Sequence, residues 1–196
     1  DQINYPIFPE RPNNIHERLI LRSGGTQWAE VAFRDAFAQS LLKDVSDVTI
    51  QDHRAAVVFI NGEYWGIEAF RDRLDNNYLK VQFGVSDVDL LEHTGSVEEG
   101  TNTHYLNLVS YLSTEDLNAA GRYDWVKSQM DVDNFRDYQI AQTFYMNVDQ
   151  PGKNVDFWRS QTVDPGNPYA DGRWRWLMYD VDISFSSASY NGFERN

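Results

Sequence analysis

The chain has 196 residues, 17 basic and 30 acidic, for a formal charge of −13 with histidine neutral. That balance removes the usual electrostatic drive towards a nucleic-acid backbone or an anionic membrane, and the lack of cysteine removes disulfides, thiolate catalysis and cysteine-rich zinc sites. Hydrophobic residues make up 41% and aromatic residues 14%, the composition of a folded protein with an aromatic-heavy core; no run of about 18 apolar residues offers a transmembrane helix.

Residues 1–14, with Pro6, Pro9 and Pro12, are predicted to be extended and draped over a neighbour. Leu19-Ile20-Leu21-Arg22 is a short strand. Ser23-Gly24-Gly25-Thr26 then turns the chain, and such a turn can cradle phosphate with backbone amides, although a lone Gly-Gly serves equally well as a plain turn. The apolar spacing at Phe33, Phe37 and Leu41 predicts a helix over 33–42. Ala55 to Ile60, Asn61-Gly62, and Tyr64 to Phe70 predict a hairpin, because Asn-Gly between two apolar runs is its strongest local signal. Arg71 and Arg73 end the second strand among acids. Either can contact phosphate, and such alternation also suits a solvated surface of weak ion pairs. No lysine stands out as a nucleotide ligand; Lys80, on a short helix from Asn76 to Phe83, is the nearest candidate.

A brief strand at 87–91 precedes a polar stretch, 92–102, read as a linker between a strand-rich part (1–95) and a helical part (96–196). Three helices follow, marked by Tyr105 to Leu112, Trp125 to Met130 and Phe135 to Tyr145, with Asp131 or Asp133 as a cap for the third. That helix delivers Asn147-Val148-Asp149-Gln150-Pro151-Gly152-Lys153-Asn154, a loop in which Pro151 and Gly152 forbid a clean helix. An Asp followed five positions later by Asn is the spacing of a protein-kinase catalytic loop; it also suits an ordinary Asx turn. Trp174 to Tyr179 reads as a buried strand ending at Asp180-Val181-Asp182. At strand periodicity both carboxylates face one way, where a hard divalent cation would neutralise them; a solvated strand end with an Asx turn suits the same residues.

Taken together, Ile60 to Ile67, Asn147-Val148-Asp149 with Lys153 to Arg159, and Trp174-Arg175-Trp176 leading to Asp180-Val181-Asp182 resemble the spore coat protein H (CotH) family, whose fold is regarded as atypical protein-kinase-like. The resemblance runs from about Leu19 to Phe185. It implies an α+β fold with a small antiparallel sheet lobe followed by a mostly helical lobe, and phosphoryl transfer from ATP, with Mg2+ or Mn2+, to a protein hydroxyl. Carried over by position, Asp149 is the catalytic-loop acid, Asn154 and Asp180 are metal ligands, and Asp182 is the second acid of the family's Trp-Asp-x-Asp run. Tyr179 stands where the family usually has Trp. The upstream segment reads Glu68-Ala69-Phe70-Arg71-Asp72 in place of the usual Tyr-x-Leu-x-Glu. The family's domain usually continues well past Asp182, so a fragment incomplete at its C-terminus is expected, and the resemblance points to a cell-surface or secreted setting.

Two other classes remain open. One is a non-catalytic pseudokinase or extracellular binding module that keeps the fold without the chemistry. The other is a carbohydrate-active or carbohydrate-binding protein, since paired acids can flank a sugar and aromatics can stack on it, although the Trp and Tyr content is equally that of a core. The four histidines lack the spacing of a helical zinc site, and no Gly-x-Ser-x-Gly elbow occurs.

Overall fold

The computed structural model describes residues 2–11, 13–187 and 189; Asp1 and Pro12 of the expected N-terminal segment lie outside them. That segment is a strap. β1 (Ile3–Asn4) and β2 (Ile15–His16) pair antiparallel at its ends. Between them Ile7 and Phe8 are buried, and Arg54 donates to the Pro6 and Ile7 carbonyls at 3.0 Å. Arg11 fastens it to Asp52 at 2.8 Å and to the buried Asp72.

β3 (Leu19–Arg22) leads through a 3-10 turn at Gly25–Gln27 into α1 (Trp28–Val31) and α2 (Arg34–Ser40). The predicted helix exists, but its buried side is the polar one. Phe33, Phe37 and Leu41 face solvent, while Arg34, Asp35, Ala38 and Gln39 face inward. The inward side chains are paired: Asp35 with Arg71 and Gln39, and Gln39 with the Gln51 amide at 2.8 Å. Buried polar groups so satisfied need not be excluded from a core.

After β4 (Thr49–Ile50) come β5 (His53–Ile60) and β6 (Glu63–Asp72), the predicted hairpin. Asn61 and Gly62 sit at φ 53 and 85, the left-handed pair that a two-residue hairpin turn requires. Pairing steps from Phe59–Tyr64 to Val58–Gly66, so Trp65 is an extra, bulged residue on β6. β3 pairs with the other edge of β6, giving an antiparallel sheet of order β3-β6-β5.

α3 (Asn76–Phe83) is capped by Asp75, whose carboxylate accepts from the Asn77 and Tyr78 amides. β7 (Val88–Glu92) and β8 (Ser96–Glu99) form a second hairpin. Residues 92–102 are therefore not a plain linker. Every β8 residue is exposed, so its polar composition hides a strand whose backbone pairs with β7, and the boundary expected at 95/96 falls in the hairpin turn.

α4 (Thr103–Thr114), α5 (Arg122–Gln129) and α6 (Val132–Tyr145) follow, then β9 (Asp156–Ser160) and β10 (Arg175–Met178). The second sheet has order β4-β10-β9-β7-β8 and is antiparallel except for β10 with β4. The architecture is α+β. Strand alternation sends Leu91, Phe157, Trp176 and Met178 to one face, against Leu108, Val126, Tyr138 and Tyr145, and sends Leu90, Trp158 and Leu177 to the other, against Leu79. Burial on both faces explains the unbroken apolar run Trp176-Leu177-Met178 in β10. No described helix is long and apolar enough to cross a membrane.

α6 is positioned from its N-terminus. Asp131 caps it, accepting from the Asn134 amide, and Asn134 Oδ1 accepts from the Trp176 amide at 2.8 Å. Beside this cap, Asp171 accepts from Arg173 Nε at 2.6 Å and Arg175 Nη2 at 2.7 Å. Burial pulls the Asp171 carboxyl up, but the bonds from Arg175 and Arg173 outweigh it and hold it at about 2. Its folded value lies below its unfolded one, so its contribution is complete above about pH 4 and is lost as pH falls towards 2. Asp171→Asn should therefore cost about 1 kcal/mol at pH 7, a figure reduced for partial exposure. In urea titrations the gap between variant and parent should close between pH 4 and pH 2.

Candidate active site

The loop after α6 is built by its own helix. Met146 turns left-handed at φ 53. Asn147 is buried and donates from Nδ2 to Gln142 Oε1 at 2.9 Å, while its Oδ1 accepts from the Asp149 amide at 3.3 Å. Gln150 Nε2 donates to Tyr138 Oη at 2.9 Å, and the Gly152 and Lys153 amides both donate to the Asp149 carbonyl at 3.0 Å. Asp149 thus sits at the head of a loop braced by two residues of α6. Asn154, at φ 55, closes it: Nδ2 lies 3.5 Å from Asp149 Oδ2 and 3.3 Å from the Asp180 carbonyl.

The second acid segment departs from the expected geometry. β10 ends at Met178, and Asp180 is left-handed at φ 51, so Asp180-Val181-Asp182 is a turn in which strand alternation does not apply. Arg22 still brings the two carboxylates to one place. It pairs directly with Asp180 Oδ1, and its Nη2 lies 3.9 Å from Asp182 Oδ2. Asp182 is buried, and its Oδ2 accepts from the Thr26 amide at 2.6 Å. The glycine turn therefore offers this amide to a carboxylate of its own chain. Gly25 is required there, since its φ is 70 and a Cβ would lie 2.2 Å from Asp182 Oδ2.

A buried carboxylate holds this turn to the first sheet. Asp35 accepts from Arg71 Nη1 at 2.6 Å, from Gln39 Nε2 at 2.8 Å and from the Val181 amide at 2.9 Å. Arg71 is 2% exposed and also reaches the Gln51 carbonyl at 3.4 Å. The residues expected from sequence thus fall into two groups. Asp149, Asn154, Asp180 and Asp182 converge, and Arg71 reaches them through Asp35. Arg73 stands apart, exposed, with Nε 3.4 Å from the α3 cap Asp75. Lys80 is exposed on α3 and lies 3.9 Å from Glu17.

The first sheet presents a mixed face towards this cluster. Cross-strand pairs put Arg22, Ala69 and Ala55 on one side, with Ile67 and Val57 two residues further along. Val57 and Ile67 are 61% and 67% exposed, so an open apolar strip lies on the same face as Arg22 and Arg71.

Residues 2–196 match the family model described as CotH kinase protein. The chain belongs to the CotH kinase family. A search of curated proteins gives no match. In this CotH chain each residue of Tyr179-Asp180-Val181-Asp182 has an interaction that composition does not reveal. Arg22, Asp35 and Asp156 are the positions that sequence inspection passed over. Arg22 had a signal in its place at a strand end directly before the Ser23-Gly24-Gly25 turn. Asp35 had one in its spacing from Gln39, which marks a polar helix face.

Asp156 is buried at the start of β9 and accepts from Tyr179 Oη at 2.8 Å. Burial, aided by Glu98 and Glu92, pushes its carboxyl up to about 7 against the lowering effect of that bond. A raised folded value means that the folded chain keeps the proton when the unfolded chain has lost it. Stability accordingly falls as pH rises from about 4 to 7, and the loss is complete above that window. Asp156→Asn has no proton to lose. Its stability should be flatter between pH 4 and 7 and should exceed the parent's at pH 8 by roughly 1–3 kcal/mol. Urea unfolding of both proteins across that range checks this; a variant weaker than the parent at pH 8 contradicts it.

Proposed function

We propose that this chain binds ATP with magnesium or manganese and transfers the γ-phosphoryl group to a serine or threonine hydroxyl of a protein. The observation that carries the proposal is the meeting of Asp149, Asn154 and Asp180, from two separate turns, with Arg22 seated on Asp180. A kinase-like division of labour belongs to the same proposal: the β3-β6-β5 sheet with α2 serves the nucleotide, and the loop after α6 serves the acceptor.

The donor set suits such an ion. Among the described residues no three His, Cys, Asp or Glu side chains gather as a metal cage. Two carboxylates and an amide oxygen match the habit of magnesium, which takes one or two carboxylates and fills its remaining positions with water and substrate phosphate. Asp180 and Asn154 would hold it, with Asp182 contributing from beside the glycine turn. A bound divalent ion supplies neutralisation of the charge on the transferred group.

The chain's own residues do the rest. Arg22 leaves Asp180 and turns to a phosphate, so one guanidinium keeps the acids compatible before the nucleotide arrives and binds it afterwards. Val57 and Ile67 give an apolar seat for the base. Arg71 acts one step back, by fixing Asp35 and hence the Val181 amide. Asp149 accepts the acceptor's hydroxyl proton as its oxygen bonds to phosphorus and the bond to the leaving diphosphate breaks. Most of the catalysis is positioning.

A binding module without chemistry is the second possibility, favoured by one observation. Asp180 and Asp182 already have a cation and an amide as partners. Nucleotide titration and phosphoryl transfer separate the two. Calorimetric titration of ATP should show binding with magnesium or manganese and none with chelator, and Asp180→Asn should abolish the metal-dependent part. Asp149→Asn should keep that binding while lowering transfer to a protein acceptor by roughly 10²–10⁴-fold. Metal-independent or absent binding in the folded parent contradicts the proposal, and full activity in Asp149→Asn contradicts that residue's role.

A further inference from the structure

Asp156 lies two residues after Asn154, and Tyr179 lies one residue before Asp180. Their side chains meet in the 2.8 Å bond from Tyr179 Oη to Asp156 Oδ1. Leu177 is the register partner of Asp156 in the antiparallel β9–β10 pair, so Tyr179 reaches it diagonally from beyond the end of β10. The bond closes the ladder where the two main chains part. Past it, each chain enters a turn through a left-handed residue, Asn154 at φ 55 and Asp180 at φ 51. Across that gap the turns share the 3.3 Å bond from Asn154 Nδ2 to the Asp180 carbonyl, which is long for its kind. Asn and Asp enter left-handed backbone more readily than other side chains do, so what fixes the relation of the two turns is the bonding between them.

The surroundings of Asp156 argue against a purely structural choice. Its register partner on β7 is Glu92, and Glu98 of β8 also bears on it. A buried carboxylate with two further acids close by is a poor way to stabilise a sheet edge. The hydroxyl of Tyr179 is what the arrangement uses.

Resting on the phosphoryl-transfer proposal above, we propose that Tyr179 and Asp156 are a positioning pair that sets the separation of Asn154 and Asp180, and with it the affinity of the site for its divalent ion. Both act through Asn154 and Asp180 and not on the reacting atoms.

Two variants of the whole chain test this. Tyr179→Phe removes the donor and keeps the ring, which packs against the Leu79 and Trp158 cluster. Asp156→Asn keeps an oxygen that accepts from Tyr179. Two quantities are read: manganese affinity in the presence of ATP, by calorimetry, and amide hydrogen exchange of residues 153–157 and 179–183 without any ligand. Tyr179→Phe should weaken manganese binding roughly five-fold, the worth of one hydrogen bond, and should speed exchange in both turns while the melting temperature stays near the parent's. Asp156→Asn should stay close to the parent in both. Unchanged exchange and affinity in Tyr179→Phe overturn the pair, as does an equal loss in Asp156→Asn. A fall in melting temperature alone, with neither turn loosened, overturns it too and leaves a structural contact. Exchange needs no ligand, so a parent that fails to bind manganese sinks the phosphoryl-transfer proposal while the exchange result still decides whether the pair holds the turns.

Discussion

Asp35 is the constraint on which the rest of the site depends. Its carboxylate takes a guanidinium from β6, an amide from its own helix and the main-chain amide of Val181, so one buried side chain ties the three-stranded sheet, α2 and the acidic turn into a fixed relation. Removing one partner of a buried pair costs about 3–5 kcal/mol, because the other charge is left without compensation. Replacing both with apolar residues is often harmless to stability, so what such a pair contributes is geometry more than strength. Here the geometry is that of the Asp180-Val181-Asp182 turn, whose middle amide Asp35 holds.

The same logic extends outward from that turn. Asp182 spends one oxygen on the Thr26 amide, which pins the glycine turn against the acids, and Arg22 arrives from the residue where β3 ends. Asn154 and Asp180 both occupy left-handed backbone. Asn and Asp accept that region at little cost, and here it turns the chain so that both side chains are aimed at one place. Asp149 is aimed differently, by a loop laced to Gln142 and Tyr138 of α6. The acidic turn and the braced loop therefore meet, and the apolar pair Val57 and Ile67 lies on the same sheet face as Arg22.

Much of this is legible in the chain, for local reasons. Asn61-Gly62 fixes a hairpin because only a few residue types accept two consecutive left-handed positions. Asp149 and Asn154 stand out because Pro151 and Gly152 forbid a helix between them. The order of the three CotH-like segments carries the family, which the match over residues 2–196 shows. What is not legible depends on long-range partners. The stripe of Phe33, Phe37 and Leu41 points to a conventional amphipathic helix, yet α2 buries Asp35 and Gln39, because Arg71 and Gln51 are waiting for them from residues far along the chain. β8 looks like a linker because an exposed edge strand needs no apolar residue to pair its backbone. Asp180 and Asp182 look like a strand end until the left-handed Asp180 turns the chain.

The most direct test of the central claim is a crystal structure of the chain with manganese and a non-hydrolysable ATP analogue, with the ion located from its anomalous signal. The account predicts an ion held by Asp180 and Asn154, Arg22 moved from Asp180 onto a phosphate oxygen, and Asp35 still bonded to both Arg71 and the Val181 amide. Nucleotide bound away from this cluster, or Arg22 still seated on Asp180 with no ion beside it, would contradict it.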